Sequence, residues 1–143
     1  MQKSTREPWM PADDYGRSLP AFTVNLLVAD VARSVAFYRD VLGADVRHAD
    51  EDFAALRFRN LDFMLHADHT YDKHPWHARL VSGAGRGLGT ELRLLHVDPD
   101  AFEARAHAHG ATVVLSTADK PHGWREAMVA DPDGYVWAVG VPI

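Results

Sequence analysis

The sequence predicts an α+β fold built from two tandem βαβββ units. A helix-forming segment with the same order of signals occurs twice, at Asp30–Val46 and Asp98–Val113, and each copy has one strand-like run before it and three after it. A length of 143 residues, 47% of them hydrophobic, suits one packed domain. We therefore expect a single domain at residues 21–143, preceded by an N-terminal extension at residues 1–20.

The first unit is predicted at about residues 22–67. Its opening strand, FTVNLLV, leads to Asp30, which is a good helix N-cap. Apolar residues then recur at three- and four-residue steps until Gly43 ends the helix. Three strand-like runs follow, namely ADVRHA, FAALRFR and LDFMLHA.

The second unit is predicted at about residues 90–141 and repeats this order. Its opening strand, TELRLLHV, leads to Asp98 as the N-cap. Pro99 takes the first helical position, where a missing N–H costs nothing, and Gly110 stops the helix. The strand-like runs TVVLS, WREAMVA and YVWAVGV complete the unit.

Residues 68–88 connect the two units without a convincing helix or strand signal. Connections of this length in a compact domain are usually functional lids or disordered linkers. The aromatic and histidine content of the first half favours a lid. The second half, SGAGRGLG, leads into a strand rather than a helix, so we do not expect it to bind phosphate.

Composition argues against several classes of function. The formal net charge is −5 and no cluster of Lys and Arg is present, so a nucleic-acid partner is not expected. The absence of cysteine excludes disulfides, thiolate metal sites and a cysteine nucleophile. Because the N-terminal segment has no apolar core like that of a signal peptide and no apolar run has the length of a membrane span, we expect no membrane partner and a cytoplasmic location.

The two βαβββ units, the segment VADVARSVAFYRDVLG and the C-terminal segment GWREAMVADPDGYVWAV resemble the vicinal oxygen chelate superfamily. This superfamily includes glyoxalase I, the bleomycin resistance proteins and the extradiol dioxygenases. The resemblance covers about residues 22–141. It implies a glyoxalase-like cup of mixed sheets packed side by side, with metal ligands, where present, supplied by four of the strands.

The resemblance places the four metal-ligand positions at or near Thr23, Met64, Leu92 and Ala138. None of these residues offers the imidazole or carboxylate that divalent transition metals prefer. A shift of one residue would bring in only Glu91, and one carboxylate does not hold a metal. We therefore predict no metal and no other cofactor.

The histidines leave an alternative open. His66, His69, His74 and His77 lie close together in the sequence. Because alternate residues of a strand share a face, His66 is expected beside Met64, as a displaced metal ligand, a general base or an uncharged ligand contact. The other three are expected to be solvated loop residues, since ordered metal sites need ligands held by rigid elements.

The last hairpin predicts an arginine in the cup. If Ala130 and Tyr135 close the turn, Arg125 lies opposite Gly140, on the same face as Ala138. Arg125 would then point into the cup, where a guanidinium can hold an anionic ligand. The alternative is a salt bridge at the rim.

These patterns favour a metal-independent, bleomycin-resistance-like protein that binds a small organic molecule. Its pocket is expected between the first, fourth, fifth and eighth strands. The candidate ligand-binding residues are Asn25, Met64, His66, Trp76, Leu92, Arg125 and Ala138. An enzyme of the same superfamily (a lyase, isomerase or dioxygenase with shifted metal ligands, or a metal-free enzyme with His66 as base) is the main alternative, and an interaction module is a third; no catalytic residue is assigned.

The resemblance also implies a homodimer, because members of this superfamily usually form two-fold dimers. The N-terminal extension contains Pro8, Trp9 and Pro11, and it is the segment expected to lie across a partner.

Overall fold

The structure, a computed structural model, describes residues 9–143 and contains two four-stranded sheets. The strands of the first sheet are β1 (Val24–Val28), β2 (Asp45–Ala49), β3 (Phe53–Phe58) and β4 (Leu61–Ala67). The strands of the second sheet are β5 (Glu91–Leu95), β6 (Thr112–Asp119), β7 (Trp124–Ala130) and β8 (Val136–Pro142). The strand orders are β1-β4-β3-β2 and β5-β8-β7-β6, so the two sheets are built alike.

Four α-helices accompany the strands. They are α1 (Ala12–Ser18), α2 (Val31–Phe37), α3 (His77–Val81) and α4 (Pro99–His109). A π-helical turn at Tyr38–Leu42 continues α2, and a 3₁₀ turn at Asp68–Tyr71 follows β4. The Asp30 side chain accepts a hydrogen bond from the backbone N–H of Arg33, as an N-cap does, and Gly43 ends the π-helical turn with a φ of 79°.

The pairing of the strands confirms the two tandem βαβββ units. In each unit the first strand is parallel to the last, β1 to β4 and β5 to β8. The other neighbours are antiparallel. A parallel pair needs a crossover connection, and α2 and α4 lie within those connections.

Alternation along the strands gives each sheet two distinct faces. The helix face packs against α2 and α4, and we call the opposite side the open face. In the first sheet the open face carries Asn25, Leu27, Phe53, Ala55, Met64 and His66, which are paired across β1, β3 and β4. In the second sheet it carries Glu91, Arg93, Leu95, Glu126, Met128 and Ala138.

The helix faces of both sheets contribute to one core cluster. Phe63 of the first sheet lies against Trp137 of the second, with ring centroids 5.7 Å apart. Tyr38 lies between the units: it donates a hydrogen bond to Asp131 Oδ2 (2.6 Å) and accepts one from Trp137 Nε1 (3.1 Å). Burial, followed by the nearby Asp131 carboxylate, raises the pKa of Tyr38, so its hydroxyl keeps the proton that it donates.

The turn between β7 and β8 is longer than predicted. Ala130 pairs with Val136, and the predicted closure on Tyr135 is wrong by one residue. The reason is the Asp131 side chain, whose Oδ1 accepts hydrogen bonds from the backbone N–H groups of Asp133 and Tyr135, each at 2.9 Å. An aspartate side chain that accepts hydrogen bonds from the backbone of its own turn in this way stabilises the observed turn. The shift exchanges the two faces of β7 relative to the prediction.

The N-terminal extension and the connecting segment contain more structure than predicted. Within the extension, α1 lies on the first sheet of its own chain and Tyr15 is 5% exposed. Residues 1–8 of the predicted extension lie outside the described residues. The connecting segment contains α3 and the 3₁₀ turn. Within residues 9–143, no helix is long and apolar enough to cross a membrane.

We predict that Tyr38→Phe lowers the free energy of unfolding by about 1–3 kcal/mol, because it leaves the buried Trp137 N–H without an acceptor and Asp131 without one donor. Urea denaturation measures the change. Tyr71→Phe is a matched control, since that hydroxyl takes part in an exposed hydrogen bond. Equal losses of stability in the two variants would contradict the role assigned to Tyr38.

Candidate functional site

A cavity of about 530 Å³ lies between α1 and the open face of the first sheet. Its floor is formed by Met64 and His66 of β4 and by Phe53 of β3. Its roof is formed by Trp9 and Tyr15 of the N-terminal segment. Within residues 9–143, the lining residues are Trp9, Ala12, Tyr15, Gly16, Leu19, His48, Asp50, Phe53, Met64 and His66.

His66 is held in one orientation by a chain of hydrogen bonds. Asn25 Nδ2 donates to the Tyr71 hydroxyl (2.7 Å), which leaves Asn25 Oδ1 to accept from His66 Nδ1 (2.6 Å). A neutral imidazole carries one N–H, so Nε2 is then an acceptor, and it has no hydrogen-bond partner among residues 9–143. Burial lowers the pKa of His66, which favours this neutral form. The floor of the cavity therefore presents an uncharged acceptor.

Aromatic rings make up most of the remaining wall. Trp9 stacks on His48 with centroids 4.7 Å apart, and Tyr15 meets Phe53 edge-on at 5.5 Å. Trp9 and Tyr15 are 5.4 Å apart, and Phe53 lies 5.0 Å from His66. The contacts run continuously from the roof to the floor. The Tyr15 hydroxyl is buried and has no hydrogen-bond partner within the described residues.

A second cavity, of about 490 Å³, lies between β1 and the connecting segment. Asn25 and Leu27 form one side, and Trp76, which is 55% exposed, lies on the other. Asn25 thus lines the second cavity while its side chain holds His66 in the first. Trp76 faces this second cavity and is absent from the lining of the first.

One arginine fixes the connecting segment to the first sheet. Arg86 donates to the Leu27 carbonyl oxygen (2.9 Å) and makes two hydrogen bonds to the Asp68 carboxylate (2.8 and 2.6 Å). Arg86 Nη1 also lies 3.5 Å from the Asp133 carboxylate. These ion pairs are largely buried, so the glycine-rich stretch has a structural role as an anchor.

Arg125 lies on the helix face, contrary to the prediction. It is paired with Val141, and its guanidinium makes two hydrogen bonds of 2.9 Å to Asp100 of α4 and one of 3.0 Å to Asp119. The one-residue extension of the turn causes the error, because it places Glu126 on the open face instead. The interpretation of Arg125 as a cup residue was wrong, and an anionic ligand loses its predicted partner.

Leu92 also lies on the helix face. It is opposite Trp137 and packs against the core cluster. Leu94, two residues further along the same strand, belongs to that cluster. The residue opposite Ala138 is Arg93, so the predicted position was wrong by one residue. Ala138 is on the open face as expected and is 1% exposed.

A charged cluster covers this part of the second sheet. Glu126, 2% exposed, accepts hydrogen bonds from Arg93 (2.7 Å) and shares a short one with His122 Nε2 (2.5 Å). Arg93 also donates to Glu91 (3.0 Å). Burial alone would raise the pKa of Glu126, but the hydrogen bonds from His122 and Arg93 hold it below its ordinary value. Glu126 is therefore a negative charge satisfied within its own sheet.

The residues at the four metal positions implied by the resemblance do not fit a divalent metal. Thr23 donates its hydroxyl hydrogen to the Asp62 carbonyl oxygen (2.7 Å). Met64 offers only a thioether, Leu92 is on the other face and Ala138 has no donor atom. Residues 9–143 contain no group of three His, Cys, Asp or Glu side chains placed to hold a metal.

Of the predicted site residues, the structure brings Met64 and His66 together in the main cavity, with Asn25 behind them. Sequence analysis missed the other lining residues, among them Trp9, Tyr15, His48, Asp50 and Phe53, and it missed Tyr71, which bonds Asn25. The alternation of β3 gives a signal for Phe53, because it shares a face with Ala55. The first two come from the N-terminal segment, whose packing has no periodic signal.

Comparison with known proteins identifies the family. The family model described as the Glyoxalase/Bleomycin resistance protein/Dioxygenase superfamily matches residues 21–139. An uncharacterised protein of Mycobacterium bovis is 32% identical over 130 residues, which cover 87% of this chain and 84% of that protein.

Solved structures share the fold. A glyoxalase/bleomycin resistance protein/dioxygenase family enzyme from Burkholderia phytofirmans superposes with a TM-score of 0.70 at 21% identity, covering 85% of this chain and 97% of that one. A glyoxalase-related enzyme from Fulvimarina pelagi gives 0.67 at 18% identity, covering 86% and 88%. The repeated βαβββ units and the match over residues 21–139 lead to one conclusion: the chain belongs to the glyoxalase/bleomycin resistance protein/dioxygenase superfamily.

Proposed function

We propose that this protein binds a small organic molecule, without a metal ion, in the cavity between α1 and the first sheet. The observation that carries the proposal is the hydrogen-bond chain Tyr71–Asn25–His66, which holds an unpaired Nε2 acceptor on a cavity floor of apolar and aromatic side chains. Mostly apolar walls with a few fixed polar groups are typical of small-molecule sites. A volume of about 530 Å³ is within the usual range for such sites.

The same observation favours one enzymatic alternative. A neutral imidazole whose Nδ1–H is held by a neighbour has its Nε2 in position to accept a proton from a bound molecule, which is the arrangement of a general base. His66 is the only member of the predicted site with this chemistry. Turnover of a bound compound that is lost in His66→Phe would distinguish catalysis from binding alone.

Ligand binding is expected to depend on His66 and on the space above Met64. In a thermal-shift screen with a fragment library, compounds that stabilise the wild type should bind His66→Phe about 5- to 10-fold more weakly, since one hydrogen bond is lost. Met64→Trp fills the cavity and should abolish binding. Binding to the wild type should also weaken as the pH falls through the lowered pKa of His66, because protonation removes the acceptor, and His66→Phe should not show this loss.

Arg125→Ala is the matched control for these variants. Its ion pairs with Asp100 and Asp119 lie on the helix face, so the affinity for the same compounds should not change. Loss of binding in Arg125→Ala, together with unchanged binding in Met64→Trp, would move the site away from this cavity.

We predict that the purified protein holds no stoichiometric transition metal, because the four positions implied by the resemblance are Thr23, Met64, Leu92 and Ala138. Elemental analysis of protein prepared without a histidine tag makes the measurement. One equivalent of zinc, nickel or iron per chain would refute the metal-independent proposal.

We also propose that the protein is a homodimer. The open face of the second sheet exposes Leu95 and Leu115, at 45% and 46%, and apolar side chains of this size on a sheet favour burial against another surface. Light scattering at micromolar concentration should give twice the chain mass of 15.9 kDa. A mass equal to that of one chain would contradict the dimer.

A further inference from the structure

Two polar groups that line the main cavity, the Asp50 carboxylate and His66 Nε2, are hydrogen-bond acceptors, and one of them is negatively charged. Asp50 accepts hydrogen bonds from His48 Nε2 (2.8 Å) and from the backbone N–H groups of Asp52 and Phe53. Burial acts to raise the pKa of Asp50, yet these hydrogen bonds hold it below its usual value, so the carboxylate is charged. His66 adds an uncharged acceptor at Nε2. No Lys or Arg is among the lining residues in the described part of the chain.

The aromatic rings of the wall also favour positive charge. The faces of aromatic rings carry partial negative charge and attract cations. Trp9, Tyr15, Phe53 and His48 contact one another and line the cavity together. An ammonium group would therefore meet favourable electrostatics on the wall as well as at Asp50, whose side chain is half exposed at the edge of the cavity.

The two arginines near Tyr15 share one carboxylate, that of Asp62. Arg57 makes two hydrogen bonds to Asp62, at 2.8 and 3.1 Å, and Arg47 lies 3.6 Å from the same carboxylate. Neither arginine lines the cavity. A carboxylate or phosphate in the cavity would thus face Asp50 without a cationic partner, which disfavours anionic ligands.

The roof lies outside the part of the chain that matches the family model. Trp9 and Tyr15, like the rest of the segment up to Leu19, precede the family match, which begins at residue 21. The fold common to the family supplies Met64, His66 and Phe53 as the floor. Half of the lining residues, Trp9, Ala12, Tyr15, Gly16 and Leu19, come from the additional segment.

We propose that the cavity takes a protonated amine carried on an apolar body, and that the roof Trp9–Leu19 determines this preference. The inference rests on the proposed function, since it names the class of molecule that the same site accepts. The apolar body lies over Met64 and Phe53, and the ammonium group lies towards Asp50 and the ring of Trp9.

A series of three probes with one shared body tests the proposal. The probes are 3-phenylpropylamine, 3-phenylpropan-1-ol and 3-phenylpropanoate, which are cationic, neutral and anionic at pH 7.5. Isothermal titration calorimetry should give the order amine, alcohol, carboxylate. The amine should bind about 5- to 30-fold more tightly than the alcohol, the range that cation–π and charge-assisted contacts supply.

Two variants locate the origin of this preference. Asp50→Asn keeps the acceptor for the turn but removes the charge, so it should reduce the amine-to-alcohol ratio and leave alcohol binding within about twofold. Trp9→Leu should reduce the same ratio through the loss of the ring. Trp76→Leu is the matched control, because Trp76 lines the second cavity and not the main one, and it should retain the ratio.

The outcomes separate this inference from the proposed function. If the alcohol binds as tightly as the amine and Met64→Trp abolishes both, the cavity is a binding site but the preference for amines is wrong. If Trp9→Leu changes the ratio no more than Trp76→Leu does, the role of the roof is wrong. If none of the probes binds the wild type at millimolar concentration, both the inference and the proposed site are overturned.

Discussion

The hydroxyl group of Tyr38 joins the two halves of this protein at a point where no water can replace it. The hydroxyl donates a hydrogen bond to Asp131 and accepts one from the indole N–H of Trp137. All three side chains are buried. Asp131 in turn bonds the backbone of the turn that precedes β8. A buried polar network is stable only when every member is satisfied, so the helix region of one unit and the hairpin of the other are fixed together.

This network decides which residues form the open face of the second sheet. The turn held by Asp131 has one residue more than the simplest closure, and a one-residue change in register moves every side chain to the other face. As a result, Arg125 connects α4 to β6 through its ion pairs with Asp100 and Asp119. Glu126 lies on the open face, where it bonds Arg93. Local sequence signals correctly predicted the order of elements within the two βαβββ units and the helix caps at Asp30 and Asp98. They do not show that a side chain within a turn lengthens it.

The floor of the cavity was also predictable, because Met64 and His66 alternate on one strand and alternation decides the face. The remaining contributors come from segments without a periodic pattern. Tyr71 lies in a single 3₁₀ turn, and Trp9 and Tyr15 belong to an extension whose docking depends on contacts with residues about forty positions away. Periodicity shows that a face needs cover, but it does not identify the segment that covers it.

The roof and the floor of the cavity come from different parts of the chain, which affects how the protein can evolve. Tyr15 is the one buried side chain that α1 contributes, and it is not a member of the core cluster. Substitutions between residues 9 and 19 can therefore reshape the cavity wall while the packing around Tyr38, Phe63 and Trp137 stays intact. The residues of the roof and the residues of the core therefore occupy different stretches of the chain, so selection can act on the roof without disturbing the core.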